Sequence, residues 1–256
     1  MNYYSTLGVM LWGYMTLWFL ISLIKRRNDV ADVAWGVGFV LLAWTSFFLS
    51  GGSGARGILV GILVSIWGLR LSWHIHARHR GKPEDFRYTT WRREWGKWFY
   101  ARSYAQVYLL QGALLFLVAL PMLIINRRPR GTVGFLGGVG VCVWLFGFLF
   151  ESIGDAELAR FARDPHNRRK ILQTGLWQYT RHPNYFGEVV QWWGIWLLAV
   201  GVPGGGWFGI IGPLTITFLI LKVSGIPMLE KKMAENPDFT DYKRRTSVFL
   251  PWIPKR

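Results

Sequence analysis

One cysteine, Cys142, stands in a chain of 256 residues. A lone thiol closes no internal disulfide, builds no cysteine metal site and forms no redox pair, so those chemistries are excluded before any motif is read. Acidic residues are scarce as well: 14 Asp and Glu face 30 Lys and Arg, for a formal net charge of +16. The sequence has no internal repeat and no low-complexity linker, so a single domain over residues 1–256 is expected. Its apolar stretches lack the two-residue alternation of barrel strands. What is abundant is apolar surface. Hydrophobic residues make up 52% of the chain, with 16 Trp among them, and the mean hydropathy is +0.22, more than an ordinary soluble domain buries.

That surface falls in seven runs: Leu7–Ile24, Val33–Leu49, Gly57–Trp73, Tyr104–Ile125, Val133–Phe150, Tyr185–Val202 and Trp207–Val223. Each matches the roughly 17 to 25 residues with which a helix crosses a ~30 Å hydrocarbon core. Lipid-facing backbone must satisfy its own hydrogen bonds, so an all-α integral membrane protein, a bundle of about seven transmembrane helices, is expected. The first run is followed, not preceded, by its positive charges and has no small-residue cleavage site, so it reads as a permanent helix.

Lys and Arg are divided unevenly between the connections. Residues 25–32 hold three, residues 74–103 eight, residues 151–184 six and residues 222–256 eight. The alternate connections hold only Arg56, then Arg127, Arg128 and Arg130, and none between the last two runs. Cytoplasmic loops retain positive charge, which puts the N-terminus outside and the C-terminus inside. No acidic residue falls in an outward connection. This topology accounts for most of the net charge and removes the nucleic-acid partner that a pI near 10.4 invites.

Four polar segments gather on the cytoplasmic side. In the first, Asp32 enters the second run near its end and Trp35 follows one turn later. An acid there faces a cavity or partner, or caps the helix that follows. In the second, Arg70 lies one turn before His74, and Arg80, Lys82, Glu84, Asp85, Arg87 and Tyr88 follow, with Gly81 and Pro83 setting a tight turn. Those cations either surround an anion or form a solvated loop. In the third, Glu151 and Asp155 share a helix face at i, i+4, a repulsion that hydroxyl or amide ligands or a wet helix end would relieve. The basic turn Asp164–Lys170 after them suits a phosphate or simple inside-positive charge. The fourth carries Arg181, His182, Pro183, Asn184, Tyr185 and Glu188 into the sixth run. Pro183 suits a first helical turn, which leaves Arg181 and His182 beside a helix N-terminus fit for a phosphate or another polar ligand. Asn184 and Glu188, one turn apart, point together into the bundle.

The stretches RHPNYFGE, GKPEDFRY and DVAWG, with the tail Tyr242…Phe249-Leu250-Pro251-Trp252, together resemble the DUF1295 family, which is similar to the steroid 5α-reductases. RHPxY by itself also resembles the isoprenylcysteine carboxyl methyltransferases. The resemblance covers nearly the whole chain. It implies a seven-helix bundle that holds NADPH from the cytoplasmic side and reduces the C=C bond of a lipophilic enone, above all the Δ4 bond of a 3-oxosteroid, by hydride transfer to the β carbon. The residues matching the family's cofactor region are Arg80, Lys82, Asp155, Asn184 and Glu188. Arg70, Glu84, Asp85, Arg87, Glu151, Lys170, Arg181, His182 and Tyr185 join them by position. The animal steroid reductases carry a Gln-Glu pair on an early helix, and here Asp32 and Trp35 occupy the comparable place. A hydrogen-bond donor on the enone oxygen stabilises the developing enolate; protonated Asp32, Tyr88 and His74 are the candidate donors, so Asp32, Trp35, His74 and Tyr88 form the expected catalytic set. No metal is expected. An S-adenosylmethionine-dependent methyltransferase on a lipophilic substrate and a non-enzymatic lipid-binding protein are the alternatives. Two basic clusters and Arg181 favour a phosphorylated cofactor, and polarity gathers at helix ends instead of scattering through the spans. A monomer in a bacterial cytoplasmic membrane, in contact with membrane lipid and a steroid-like substrate, is the expected setting.

Overall fold

The computed structural model describes all residues except 1, 53, 129–131, 169, 204 and 256. Helices dominate. No strand forms among the described residues, and a single parallel bridge joins Thr180 to Ser247. Helices α1 (Tyr3–Lys25), α2 (Val30–Leu49) and α3 (Ala55–His79) come first. A broken stretch follows, from α4 (Phe86–Trp95) through α5 (Phe99–Arg102), a π-helical turn Ser103–Leu109 and α6 (Leu110–Val118) to α7 (Leu120–Arg127). It bends by 56° at Ala119. Then come α8 (Gly134–Arg163), α9 (Pro183–Val200), α10 (Ile211–Phe218), α11 (Ile226–Met233) and α12 (Asp238–Arg245).

Five of these stretches are long and apolar enough to cross a membrane: α1, α2, α3, α8 and Gly206–Met233, with the bent α4–α7 stretch as a sixth. The remaining expected run forms α9, whose eighteen residues include Asn184, Glu188 and Gln191. Those polar groups lower its hydropathy, and length and composition alone do not mark it as a span. The basic segment after α3 also differs from a plain loop. Asp85 accepts from the N–H of Arg87 at 3.0 Å and so starts α4.

The chain divides into two compact units. The first holds residues 1–133 and 199–211. In it, α2 and α3 meet backbone to backbone: a Cβ on Gly68 would lie 2.6 Å from the Gly36 carbonyl oxygen. Small residues at such a crossing are how membrane helices gain van der Waals contact where lipid removes the hydrophobic drive. Ser72 Oγ donates to the Val33 carbonyl at 2.9 Å beside this crossing. Phe39, Leu42, Trp67, Tyr108, Leu115 and Met122 fill the core.

The second unit holds residues 134–198 and 212–256. Here Gly140, Gly147 and Gly154 recur every seven residues on α8, and Gly187 and Gly194 do so on α9. A seven-residue period keeps one seam on one face of a helix. A Cβ on Gly187 would lie 2.5 Å from the Gly147 carbonyl oxygen, and one on Gly194 would lie 2.7 Å from that of Gly140. The acids and amides of this unit flank the seam.

Candidate functional site

In the first unit, the residues before α2 fold against the turn before α4. Arg27 forks onto Asp29, Nε to Oδ1 and Nη2 to Oδ2, both at 2.6 Å. Asp29 also accepts from the Asp85 N–H at 3.2 Å. The Asn28 N–H donates to Glu84 Oε1 at 2.6 Å, and Asn28 Nδ2 donates to Ser103 Oγ at 2.8 Å, in the π-helical turn. Deeper in, Arg87 Nη2 donates to Asp32 Oδ2 at 2.6 Å and Tyr88 Oη donates to Asp32 Oδ1 at 2.9 Å. Tyr88 is 1% exposed. Burial works against charge on Asp29, yet the Arg27 fork, the Asp85 N–H and nearby His79 outweigh it and hold the carboxyl below its usual range. Asp85 moves the same way, with burial overcome by its bonds to Arg87.

This geometry corrects two expectations for Asp32. Helix α2 begins at Val30, so Asp32 sits inside its first turn and does not cap it. Its carboxylate receives a guanidinium and a phenol, an acceptor's role; within the group, Tyr88 carries the O–H that can be donated.

In the second unit, acids on α8 meet amides on α9. Gln191 Nε2 donates to Glu151 Oε2 at 2.5 Å, and Asn184 Nδ2 donates to Asp155 Oδ1 at 3.2 Å. Both acids are buried. The like-charged pair at i, i+4 is therefore answered by two neutral amides seven residues apart. Gln191 Oε1, also buried, has no hydrogen-bond partner. Arg181 turns toward the tail. Its Nε donates to Glu230 Oε1 at 2.8 Å, and its Nη1 donates to the carbonyls of Thr246 at 2.5 Å and Lys243 at 3.2 Å. His182 Nε2 lies 3.2 Å from the same Glu230 oxygen, and its ring stacks on Tyr185 with centroids 5.6 Å apart. The expected phosphate-facing role of Arg181 gives way to this clamp, which consumes its donors within the unit. Tyr242 Oη donates to the Trp177 carbonyl at 2.6 Å, and burial pushes that phenol well above its ordinary value.

Among known families, the one described as "Protein of unknown function (DUF1295)" matches residues 18–246. The chain belongs to the DUF1295 family. This DUF1295 protein is similar to an uncharacterized protein of Schizosaccharomyces pombe, 24% identical over 96% of this chain and 76% of the other. It is also similar to the 3-oxo-5-alpha-steroid 4-dehydrogenase 1 of Rattus norvegicus, 24% identical over 44% of this chain and 40% of the other. The protein of the same name from Bos taurus is 27% identical over 44% of this chain and 41% of the other. The chain thus spans less than half the length of these steroid dehydrogenases. No solved structure matches it.

Arg80 and Lys82 are exposed and make no ion pair among the described residues. Lys170 is exposed too, and its neighbour Arg169 lies outside the described residues. Arg70 and His74 are half-buried on α3, and Glu188 is half-buried on α9. Trp35 packs edge to face on Phe39, with centroids 5.1 Å apart. No group of three His, Cys, Asp or Glu suited to a metal forms among the described residues.

Reading the sequence overlooked Asn28, Asp29, Arg92, Gln191 and Glu230. Arg92 Nη2 donates to Glu84 Oε1 at 3.2 Å. Gln191 had a readable signal, its seven-residue spacing from Asn184. Glu230 had one as well, as the first acid after Glu188 in a long apolar stretch.

Proposed function

We propose that this protein is an NADPH-dependent reductase of the C=C bond of a lipophilic enone, and that its substrate is a Δ4-3-oxosteroid or a compound of that shape. The observation that carries the reading is its similarity to proteins named 3-oxo-5-alpha-steroid 4-dehydrogenase 1, together with the RHPNYFGE and GKPEDFRY stretches. On this reading the chain is a monomer with one domain, and the run of the family match through both compact units supports the single domain. Seven helices cross a bacterial cytoplasmic membrane, α9 among them, with the N-terminus outside and the basic connections in the cytoplasm.

The residues present suit NADPH. Arg80 and Lys82, exposed and without ion pairs among the described residues, offer charge to phosphate groups. Glu151, Asp155, Asn184 and Glu188 offer acceptors and amides to hydroxyl and carboxamide groups, and the unpartnered Gln191 Oε1 has room for one more N–H or O–H. NADPH supplies the hydride when bound. The protein's part is to bind, orient and polarise. Tyr88 turns its O–H from Asp32 to the enone oxygen, where a preorganised donor stabilises the charge that develops. Arg87 keeps Asp32 neutralised while the phenol is away. Trp35 shields the substrate from water.

The test is a thermal shift in detergent with NADPH and S-adenosylmethionine in turn, followed by turnover of a Δ4-3-oxosteroid. Stabilisation by NADPH with formation of the saturated ketone supports the reductase; a shift with S-adenosylmethionine alone overturns it. Glu188→Gln should fold and bind NADPH about tenfold more weakly, a difference of ~1.4 kcal/mol. Unchanged affinity would remove Glu188 from the site.

A further inference from the structure

At the end of the first unit opposite the acidic network, Arg56 is buried with no counter-charge among the described residues. Arg56, the second residue of α3, is 7% exposed. Its Nη2 donates to the Thr132 carbonyl, and Gly201 leaves room beside the guanidinium, where a Cβ would stand 3.4 Å from Nη2. Its Nε has no hydrogen-bond partner. A neutral carbonyl satisfies a donor but cancels no charge, and a buried charge without an opposite one is costly.

The unit itself has nothing to cancel it with. Its acidic residues are Asp29, Asp32, Glu84, Asp85 and Glu94, all at or beyond the other end of α2 or α3. Along α3 that distance is about 35 Å at 1.5 Å per residue. The surroundings of Arg56 add positive potential instead. Arg127 and Arg128 are exposed nearby in the chain that leads to Thr132, and Arg128 Nη1 is anchored to the Pro203 carbonyl at 2.6 Å. Gly54, before α3, supplies no side-chain cap, so the first N–H groups of a 25-residue helix add their partial positive charge beside Arg56.

We infer that Arg56 and the α3 N-terminus form a binding site for a phosphate-bearing anion, and that its occupant is the headgroup of an anionic phospholipid. Helix N–H groups and a guanidinium fork both match phosphate oxygens. A lipid brings that group to the water-facing end of a membrane helix, where a buried guanidinium beside free helix N–H groups can meet it. The site lies at the far end of α3 from Asp32, Arg87 and Tyr88 and does not depend on the proposed reduction.

The experiment uses the full chain in uncharged detergent, without NADPH, and compares three additions: phosphatidylglycerol, diacylglycerol with the same acyl chains, and inorganic phosphate. Other basic connections also attract anionic lipid, so the quantity read is the difference between wild type and Arg56→Gln. Phosphatidylglycerol should bind wild type about tenfold more tightly than Arg56→Gln, and diacylglycerol should not distinguish them. If inorganic phosphate produces the same difference, the anion site stands and its occupant is a free anion. Equal binding of phosphatidylglycerol and of phosphate by both proteins overturns the site. Should Arg56→Gln fail to fold, Arg56→Lys takes its place, since an ammonium keeps the charge but loses the fork; undiminished affinity in that variant is equally fatal.

Discussion

A carboxylate 1% exposed at the foot of α2 stays charged because Arg27, two residues before it, closes a fork on both its oxygens. That has a pH consequence of definite sign. The folded value of Asp29 is depressed below the ordinary ~3.9, so its stabilisation is present above that value and is lost as pH falls through the folded one. Asp85 has the same sign. Acid titration followed by tryptophan fluorescence should therefore unfold the first unit below about pH 4, and Asp29→Asn should flatten that limb. Asp29→Ala should cost ~3 kcal/mol at neutral pH, since it strands Arg27 and the Asp85 N–H. At this scale the sequence was half legible. Asp32 stood out because acids are rare in spans, whereas Asp29 looked like loop. Its partner at Asp85 lies 56 residues away.

Among the elements, the seam between α8 and α9 sets where the acids and amides meet. Gly187→Ala would force a Cβ to within 2.5 Å of backbone, where helices must separate instead of a side chain yielding. A loss of about 3 kcal/mol is expected, read as a lower melting temperature in detergent, and on the proposed function NADPH binding weakens with it. Gly138→Ala on α8 meets nothing within 4 Å and should be neutral or stabilising by up to ~1 kcal/mol. The π-helical turn Ser103–Leu109 acts at the same scale: Ser103 Oγ in it accepts from Asn28, in keeping with the frequent placement of π turns at functional sites. The apolar runs were plain in the sequence. The turn's register and the helical nature of Phe86–Trp95 were not, because basic residues there read equally as an anion-binding turn or a solvated loop, and the helix shows only where Asp85 caps it.

For the whole molecule, the distribution of Lys and Arg argues for an orientation that labelling can check. In a Cys142→Ser background, Gly51→Cys should react with an impermeant thiol reagent added to the outside of intact cells, and Lys82→Cys only after the membrane is opened. The reverse pattern would invert the proposed topology. By itself the sequence determined that the chain is helical, rich in membrane-spanning segments and a member of the DUF1295 family, because these follow from run length, composition and local motif. Only the tertiary structure decided the partners: Asp32 with Arg87 and Tyr88, Arg181 with Glu230 across 49 residues, and Arg56 with no acid among the described residues. The reason is physical. A span's apolarity is a local sum over neighbouring residues, whereas the fate of a buried charge depends on which distant helix packing brings beside it.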